Sequence, residues 1–211
     1  MDNKGAANVR GILFILSAPS GAGKSTLAQW AVENIPGVEQ SVSFTTRPKR
    51  SNETDGVHYR FVGAARFREM IAEDKFIEWA EVHGQYYGTT WDLVDEAQAR
   101  RADLLLVIDV QGAVKLRERK LDGVFIFVIP PSIEELGRRL IERGTESSAT
   151  VRERLDAAQA EISESSHYDY LVVNDTLEDA QKELEYIIRA ERCRMNRRRL
   201  EFDDFTMGQP L

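Results

Sequence analysis

The sequence has a single cysteine, no long apolar stretch and no excess of basic residues, and each absence excludes a class of protein. One cysteine rules out an internal disulfide framework and a cysteine-based zinc site, which suits a reducing compartment. The longest apolar runs are far shorter than the roughly 20 residues of a membrane-spanning helix. A formal net charge of -7 argues against a general nucleic-acid binder, because no net positive field attracts a polyanion.

What is present is the composition of an ordinary globular protein. Hydrophobic residues make up 42% and charged residues 30% of the 211 positions, which fits a chain with a sizeable core. The polar N-terminal segment MDNKGAANVR lacks the apolar stretch of a signal peptide. We therefore expect a cytoplasmic protein with no membrane and no nucleic acid among its partners, whereas a small phosphorylated ligand is compatible with the charge.

Short apolar runs alternate with helical patterns along most of the chain. The runs lack polar alternation, as expected of strands covered on both faces, and lie at Gly11–Ser17, Leu104–Val110, Val124–Ile129 and Tyr170–Val173. Helical periodicity follows each run, at Lys24–Asn34, Gly112–Arg119, Ser132–Arg143 and Leu177–Arg194. Repeated strand-then-helix units predict right-handed crossovers and a parallel sheet, and so an α/β fold.

Residues 38–89 interrupt this alternation. They contain short strand-like pieces and one helical pattern, at Ser41–Thr46, His58–Val62, Phe76–Val82, Gln85–Tyr87 and Ala64–Glu73. This pattern predicts a small mixed α+β subdomain inserted into a core formed by residues 1–37 and 90–211. A polar segment at 143–150 between two helices predicts a mobile flap, within a short helical lid at about residues 132–155.

The segment SAPSGAGKST, residues 17–26, has the form of a phosphate-binding loop in which one glycine is replaced. The pattern is Gly, four residues and Gly-Lys-Ser/Thr, and its first position holds Ala18. Gly21 and Gly23 allow backbone N–H groups to turn toward an anion at the start of the following helix. Pro19 favours extended backbone at Ala18, so we expect a negative φ there, which alanine tolerates.

The loop predicts a nucleoside triphosphate site with magnesium. Lys24 can neutralise the β- and γ-phosphates, and Ser25 can bind Mg²⁺. Asp109 follows the second long apolar strand, where its carboxylate can hold the metal directly or through water. The alternatives are a tight glycine turn at the loop and a solvated aspartate at the strand end.

The insert carries residue types that together can bind a phosphate. Arg47 and Arg50, three positions apart, offer two guanidinium groups to one phosphate. The hydroxyl groups of Tyr59 and Tyr87 can bind the same phosphate. Taken singly, these residues are compatible with surface arginines and core tyrosines.

The insert also carries residues that can bind a purine base. Glu78 lies in an apolar run, where a carboxylate is costly unless a ligand or partner supplies donors. A guanine edge offers N1–H and the 2-amino group side by side, which one carboxylate can accept together. The hydroxyl groups of Ser43 and Thr89 can donate to guanine O6. The combination favours a guanine nucleotide as the second ligand.

With these residues assembled, the sequence closely resembles guanylate kinase of the bacterial type, from about Gly11 to Arg194. The matching motifs occur in the order SAPSGAGKSTL, SVSFTTRPKR, HYRFV, FIEWAEVHGQYYGTT, IDVQGA, FVIPPS, RRLIERGTES and YDYLVVND. The resemblance implies a three-layer P-loop NTPase core with a GMP-binding subdomain and a helical lid. It implies transfer of the γ-phosphoryl group of ATP to GMP, giving ADP and GDP, or to dGMP, giving ADP and dGDP, with Mg²⁺ as cofactor. The chain would act as a monomer or a homo-oligomer.

The resemblance also implies three groups of site residues. ATP binding is expected at Ala18, Pro19, Ser20, Gly21, Ala22, Gly23, Lys24, Ser25, Thr26 and, near the adenine, Asn174. GMP binding is expected at Ser43, Arg47, Arg50, Tyr59, Glu78, Tyr87, Thr89 and Asp109. Catalysis is expected of Lys24, Arg47, Arg139, Arg143 and Arg154, and metal binding of Ser25 and Asp109.

The sequence departs from the family pattern at two positions. Val107 stands where the family often has aspartate, so the carboxylate role falls on Asp109. Pro48 directly follows Arg47, one position earlier than usual, although the Arg-x-x-Arg spacing to Arg50 is kept.

Two competing functions stay open at this point. A guanylate kinase-like binding module would lack a competent phosphate loop, whereas this chain keeps Lys24 and Ser25. A kinase for another nucleoside monophosphate is the second alternative, and Tyr59, Glu78 and Thr89 favour guanine over it. Direct measurement of ATP binding separates the first alternative from an enzyme, and a panel of nucleotides separates the second.

Overall fold

The computed structural model describes residues 7–8, 11–51, 53–82, 84–142 and 148–199. At residues 7–8, 148–150 and 198–199 it describes the backbone alone. Strand β1 (Ala7–Asn8) pairs antiparallel with a C-terminal strand at Arg198–Arg199, designated β11. Of the predicted flap at 143–150, residues 143–147, which include Arg143, lie outside the described residues. Residues 148–150 are the first residues of a helix, Ser148–Ser163, and the mobility of the segment stays a prediction.

The largest sheet has five parallel strands that form the centre of the molecule. In chain order these strands are β2 (Leu13–Ser17), β3 (Val38–Gln40), β8 (Asp103–Val107), β9 (Val124–Ile129) and β10 (Tyr170–Val173). The spatial order is β10-β9-β2-β8-β3, and every neighbouring pair is parallel. All five residues of β2 are buried, because helices cover both faces of the sheet.

Helices on the two faces of this sheet give three layers. The helices of the chain are α1 (Lys24–Asn34), α2 (Ala64–Ala72), α3 (Trp91–Ala99), α4 (Val110–Glu118), α5 (Ile133–Glu142), α6 (Ser148–Ser163) and α7 (Leu177–Arg192). Phe14 and Leu16 of β2 pack into a core with α1 and α7, whereas Leu13 and Ile15 pack into a second core with α3 and α4. This alternation follows from the period of two residues along a strand.

A second sheet of four strands lies beside the first. It consists of β4 (Phe44–Thr45), β5 (Arg60–Phe61), β6 (Phe76–Val82) and β7 (Gln85–Thr90), in the order β5-β4-β7-β6. The β4/β5 pair is parallel and the other two pairs are antiparallel, so the sheet is mixed. Helix α2 packs on it, with the Phe67 and Phe76 rings stacked at 4.4 Å between centroids.

The α/β class and the second, mixed sheet agree with the sequence prediction, and several boundaries differ. The strand predicted to reach Val110 ends at Val107, because Asp109 caps helix α4 and Val110 is already helical. Helix α3 was not expected from the sequence. Strand β3, whose residues fall in the predicted insert, pairs with β8 in the parallel sheet. Across the described residues, no helix is both long and apolar enough to cross a membrane.

Candidate active site

The loop between β2 and α1 has the backbone of an anion-binding turn. Gly21 and Gly23 have φ values of 101° and 95°, a left-handed region that residues with a side chain avoid. Ala18 is not among the positive-φ residues, so its φ is negative, as predicted. Helix α1 begins at Lys24, so the free N–H groups of its first turn lie at the end of the loop.

Buried contacts hold this loop in place. The Asn174 amide Nδ2 donates to the Ala22 carbonyl at 2.7 Å, and a Cβ on Gly23 would lie 2.2 Å from that nitrogen. A Cβ on Gly21 would lie 3.0 Å from side-chain carbons of Leu136 and Leu140, so helix α5 packs directly on the loop. The structure thus places the Asn174 side chain against the loop backbone.

Lys24 is a half-buried cation among carboxylates. Its ammonium group donates to the Ile108 carbonyl at the end of β8. Desolvation lowers the pKa of Lys24, and the nearby carboxylates of Asp109, Glu161 and Glu78 act against this shift. Glu161, on α6, was not expected from the sequence. Its position seven residues after Arg154 places both on one helix face, which is the signal that was available.

Asp109 lies between the loop and the second sheet. Its Oδ1 accepts a hydrogen bond of 2.9 Å from the Gly112 amide, so one carboxylate oxygen caps α4 and the other stays available to a ligand. Within the described residues, no group of three or more His, Cys, Asp or Glu is arranged to hold a metal ion.

A cleft of about 610 Å³ joins the phosphate loop to the second sheet. Ser25 and Val107 line its loop end. At the opposite end the cleft is lined by five residues predicted to bind GMP and by Glu53, which was not predicted. The five are Ser43, Arg47, Arg50, Tyr59 and Tyr87. The cleft is thus bordered by the residues predicted to bind two different phosphates.

Arg47 is held by a carboxylate that the sequence reasoning missed. Its Nη2 and Nη1 donate to Glu53 Oε1 and Oε2 at 2.7 and 3.0 Å, and both side chains are largely buried. The Arg50 amide also donates to Glu53, at 2.8 Å. The hydrogen bonds from Arg47 keep the pKa of Glu53 below its usual range. The regular spacing of Arg47, Arg50 and Glu53, each three residues apart, was the available signal.

The pair of tyrosines lies beside Arg47. The Arg47 guanidinium is 5.5 Å from the Tyr59 ring centroid, and the Tyr59 and Tyr87 rings meet edge to face at 6.0 Å. Arg47 donates one N–H of each Nη atom to Glu53 and a second N–H of Nη1 to the Pro48 carbonyl at 2.8 Å. Two of its five donors, Nε–H and one N–H of Nη2, are not used by these three bonds.

Three polar side chains predicted to bind guanine meet in the second sheet. Glu78 of β6 is directly opposite Thr89 of β7, and the Ser43 and Thr89 hydroxyl oxygens are 3.1 Å apart. All three side chains are buried, with Glu78 only 4% exposed. Burial raises the pKa of Glu78 to about 7, whereas hydrogen bonding by Thr89 lowers it. A buried carboxylate whose pKa is raised by desolvation gains from any further donors that a ligand brings to it.

Of the arginines predicted to close over ATP, Arg154 contacts the loop, and Arg139 lines a pocket together with Gly21 and Gly23. Arg139 of α5 donates to Glu135 at 2.6 Å and to the Asn174 carbonyl at 3.0 Å. Arg154 of α6 donates to the Ser20 hydroxyl at 3.0 Å. Arg143 lies outside the described residues. Thr26 is an exposed residue in the first turn of α1.

Comparisons with known proteins point to one family. The family model described as Guanylate kinase matches residues 10–191. Curated guanylate kinases of Syntrophotalea carbinolica and Geobacter sulfurreducens are 51% and 49% identical over 90% and 89% of this chain, and 91% and 92% of theirs. The crystal structure of guanylate kinase from Anaplasma phagocytophilum has a TM-score of 0.75 and 35% identity, covering 90% of both chains. On these matches, the chain belongs to the guanylate kinase family.

Proposed function

We propose that this chain transfers the γ-phosphoryl group of ATP to GMP across the cleft between its two sheets. Its membership in the guanylate kinase family supports this reaction. Among the residues, the strongest support for GMP as the acceptor is the buried group of Ser43, Glu78 and Thr89. Its carboxylate can accept from the donors on the edge of guanine, and its hydroxyl groups can donate to O6.

ATP is proposed to bind at the loop end of the cleft. The backbone N–H groups at Gly21, at Gly23 and at the start of α1 surround the phosphates, and Lys24 neutralises the β- and γ-phosphates. Arg139 and Arg154 approach this loop from the lid helices, and Arg143 is assigned with them by its motif alone. Asn174 supports the loop through the Ala22 carbonyl, below the adenine side.

GMP is proposed to bind at the other end. Glu78 accepts from guanine N1–H and the 2-amino group, while Ser43 and Thr89 donate to O6. The GMP phosphate lies against Arg47, Arg50 and the hydroxyls of Tyr59 and Tyr87, which line the cleft. Glu53 and the Pro48 carbonyl together take three of the five N–H donors of Arg47, so the phosphate is proposed to use the other two, Nε–H and one N–H of Nη2. The same contacts accept dGMP, since none of them involves the ribose 2′-hydroxyl.

Magnesium fits the donor set at the loop end. The Ser25 hydroxyl and the second carboxylate oxygen of Asp109 are hard oxygen ligands, and Mg²⁺ in such sites binds one or two carboxylates together with substrate phosphates. Val107 adds no carboxylate to this set. When bound, the ion screens the negative charge that builds up on the β- and γ-phosphates.

The reaction needs placement and charge neutralisation, with no covalent intermediate on the protein. The GMP phosphate is already an oxyanion, so no side chain has to remove a proton from the acceptor. Arg47 holds the attacking phosphate, and Lys24, Arg139 and Arg154 neutralise the transferring group. Closure of the lid excludes water, which would otherwise accept the phosphoryl group from ATP.

The wider assignment is a cytoplasmic enzyme of nucleotide metabolism that binds neither membranes nor nucleic acid. The acidic net charge of -7 supports the last point. A coupled assay of ADP formation with GMP, dGMP, AMP, UMP and CMP tests the proposal, together with direct measurement of ATP binding. Turnover with the two guanine nucleotides is expected. Absence of both ATP binding and turnover would favour a binding module, and a preference for another base would refute the guanine assignment.

A further inference from the structure

One face of helix α4 lies along the strand that carries Glu78. Gly112, Lys115 and Arg119 are spaced by three and four residues, so they share a helix face. Strand β6 pairs with β7 on one side only, and α4 covers its other edge. A sheet edge leaves carbonyl groups that need donors, and this helix face supplies them.

The donors hold the backbone on both sides of Glu78. The Lys115 ammonium donates to the Trp79 carbonyl at 2.6 Å and lies 4.5 Å from the centroid of the Trp79 ring. Arg119 donates to the Ile77 carbonyl at 2.9 Å. The residues immediately before and after Glu78 are therefore tied to α4, and the position of Glu78 relative to this helix is fixed.

Gly112 faces the Glu78 carboxylate itself. A Cβ at Gly112 would lie 2.7 Å from Glu78 Oε2 and 3.0 Å from Asp109 Oδ1. The Gly112 amide is held by Asp109, so the helix backbone cannot retreat from this contact without losing the cap. The absence of a side chain at this position is what lets the carboxylate occupy its place.

We propose that Gly112 and Lys115 are specificity-determining residues, which position the Glu78 carboxylate so that it accepts both N1–H and the 2-amino group of guanine. The inference rests on the proposed role of Glu78 as the residue that reads guanine. Inosine monophosphate (IMP) shares O6 and N1–H with GMP and lacks only the 2-amino group. The preference for GMP over IMP therefore measures whether the second hydrogen bond is made.

Gly112→Ala tests the inference directly. The group that gives way to the new methyl is the end of a flexible side chain, so we expect the protein to fold and the carboxylate to be displaced. The ratio of kcat/KM for GMP to that for IMP should fall about tenfold, the loss of one hydrogen bond to a charged group. The Kd for ATP measured without Mg²⁺ should stay unchanged, because the atoms nearest to the new methyl group belong to Glu78 and Asp109 and not to the phosphate loop.

A matched glycine provides the control. Gly137 is also in a helix, and a Cβ there meets Leu155 at 3.5 Å, an ordinary contact. Gly137→Ala should leave the GMP to IMP ratio within about twofold of the wild-type value. For the second residue, Lys115→Met should lower the ratio and Lys115→Arg should restore it. Lys182→Met, which removes an exposed lysine paired with Glu178, is the matched lysine control.

A double-variant cycle separates positioning from a general effect on folding. In a Glu78→Ala background the carboxylate is absent, so adding Gly112→Ala should change the GMP to IMP ratio by less than about twofold. An additional large loss in this background would show that Gly112 acts through something other than Glu78, and would overturn the inference.

The outcomes distinguish the inference from the function on which it rests. If Glu78→Ala itself keeps the GMP to IMP ratio, the proposed role of Glu78 is wrong. If Glu78→Ala lowers the ratio and Gly112→Ala does not, the inference alone is wrong. Failure of Gly112→Ala to fold would also overturn it, because the clash would then be taken up by the backbone and not by the carboxylate.

Discussion

Replacing Glu78 by glutamine should stabilise the protein and impair GMP binding at the same time. In the structure the carboxylate is 4% exposed, and burial raises its pKa to about 7, with the charge of Asp109 adding to the effect and Thr89 and Lys115 opposing it. The unfolded chain has an ordinary glutamate. Above about pH 7 the ionised, buried carboxylate therefore lowers the free energy of unfolding of the protein without GMP. Glutamine carries no charge and removes this loss.

The sign and size of the effect follow from the two pKa values. The folded state binds the Glu78 proton more tightly than the unfolded state, so the contribution of Glu78 to wild-type stability falls as pH rises from 4.5 to about 7 and is constant above. At about 1.4 kcal/mol per pH unit, the full difference is roughly 3 kcal/mol. Glu78→Gln should recover roughly 1–3 kcal/mol of this at about pH 8, since the buried amide keeps some desolvation cost.

GMP binding should show the opposite pH dependence. Guanine N1–H and the 2-amino group are donors, so GMP binds the ionised carboxylate, and its affinity should rise with pH up to about 7. The GMP phosphate also titrates near pH 6, but it does so equally with both proteins. The difference between wild type and Glu78→Gln isolates the contribution of the carboxylate.

Two measurements test this reasoning. Urea unfolding of both proteins at about pH 5 and about pH 8 gives the stability difference, which should be larger at the higher pH. Calorimetric titration with GMP at about pH 6 and about pH 8 should show affinity rising with pH more steeply for wild type than for the variant, with GMP bound at least about tenfold more weakly by the variant at pH 8. Parallel pH dependences of GMP binding in the two proteins would refute the role of Glu78.

Three further substitutions have defined outcomes. Gly23→Ala forces a side chain into left-handed backbone and onto the Asn174 amide, so ATP binding should be lost and stability should fall by about 1–3 kcal/mol. Arg154→Ala should lower kcat by about 10³ or more with little change in KM for GMP. Arg47→Lys keeps the charge but loses the two parallel hydrogen bonds to Glu53, so KM for GMP should rise about tenfold with an unchanged Kd for ATP.

Each of the three substitutions has a result that would contradict the prediction, and Gly23→Ala also has a control. The control is Gly63→Ala. Gly63 has a negative φ and a methyl group there would meet open space, so this variant should keep ATP binding. Normal ATP binding by Gly23→Ala would contradict the loop geometry. An unchanged kcat in Arg154→Ala would remove that residue from the reaction, and an unchanged KM in Arg47→Lys would remove the paired geometry from phosphate binding.

The elements that could be predicted from the sequence are those with strong local signals. Val124–Ile129 and Tyr170–Val173 form strands within the predicted bounds. Val124–Ile129 is a buried run in the sheet, as continuous apolar residues predict. The expectation that both faces are covered is wrong for Tyr170–Val173, because it is an edge strand and Leu171 and Val173 are exposed. Helix α1 runs from Lys24 to Asn34 as predicted, because the glycines before it can only be a turn. The negative φ of Ala18 follows from the proline beside it.

The features that the sequence did not indicate depend on residues far apart in the chain. Helix α3 buries only Val94 and Ala97, so its apolar pattern is weak. Strand β3 is three residues long, and its pairing with β8 decides which sheet it joins. The contacts of Lys115 and Arg119 with β6 span 36 and 42 positions, and no local pattern encodes them.

The central claim is that the buried group of Ser43, Glu78 and Thr89 selects guanine for phosphoryl transfer. The measurement that tests it most directly is kcat/KM for GMP and AMP with ATP and Mg²⁺, in wild type and Glu78→Gln. We predict that wild type prefers GMP over AMP by more than about 10³ and that the variant loses at least about tenfold of this preference. A wild-type protein that phosphorylates AMP as well as GMP, or a variant with its preference intact, would contradict the account.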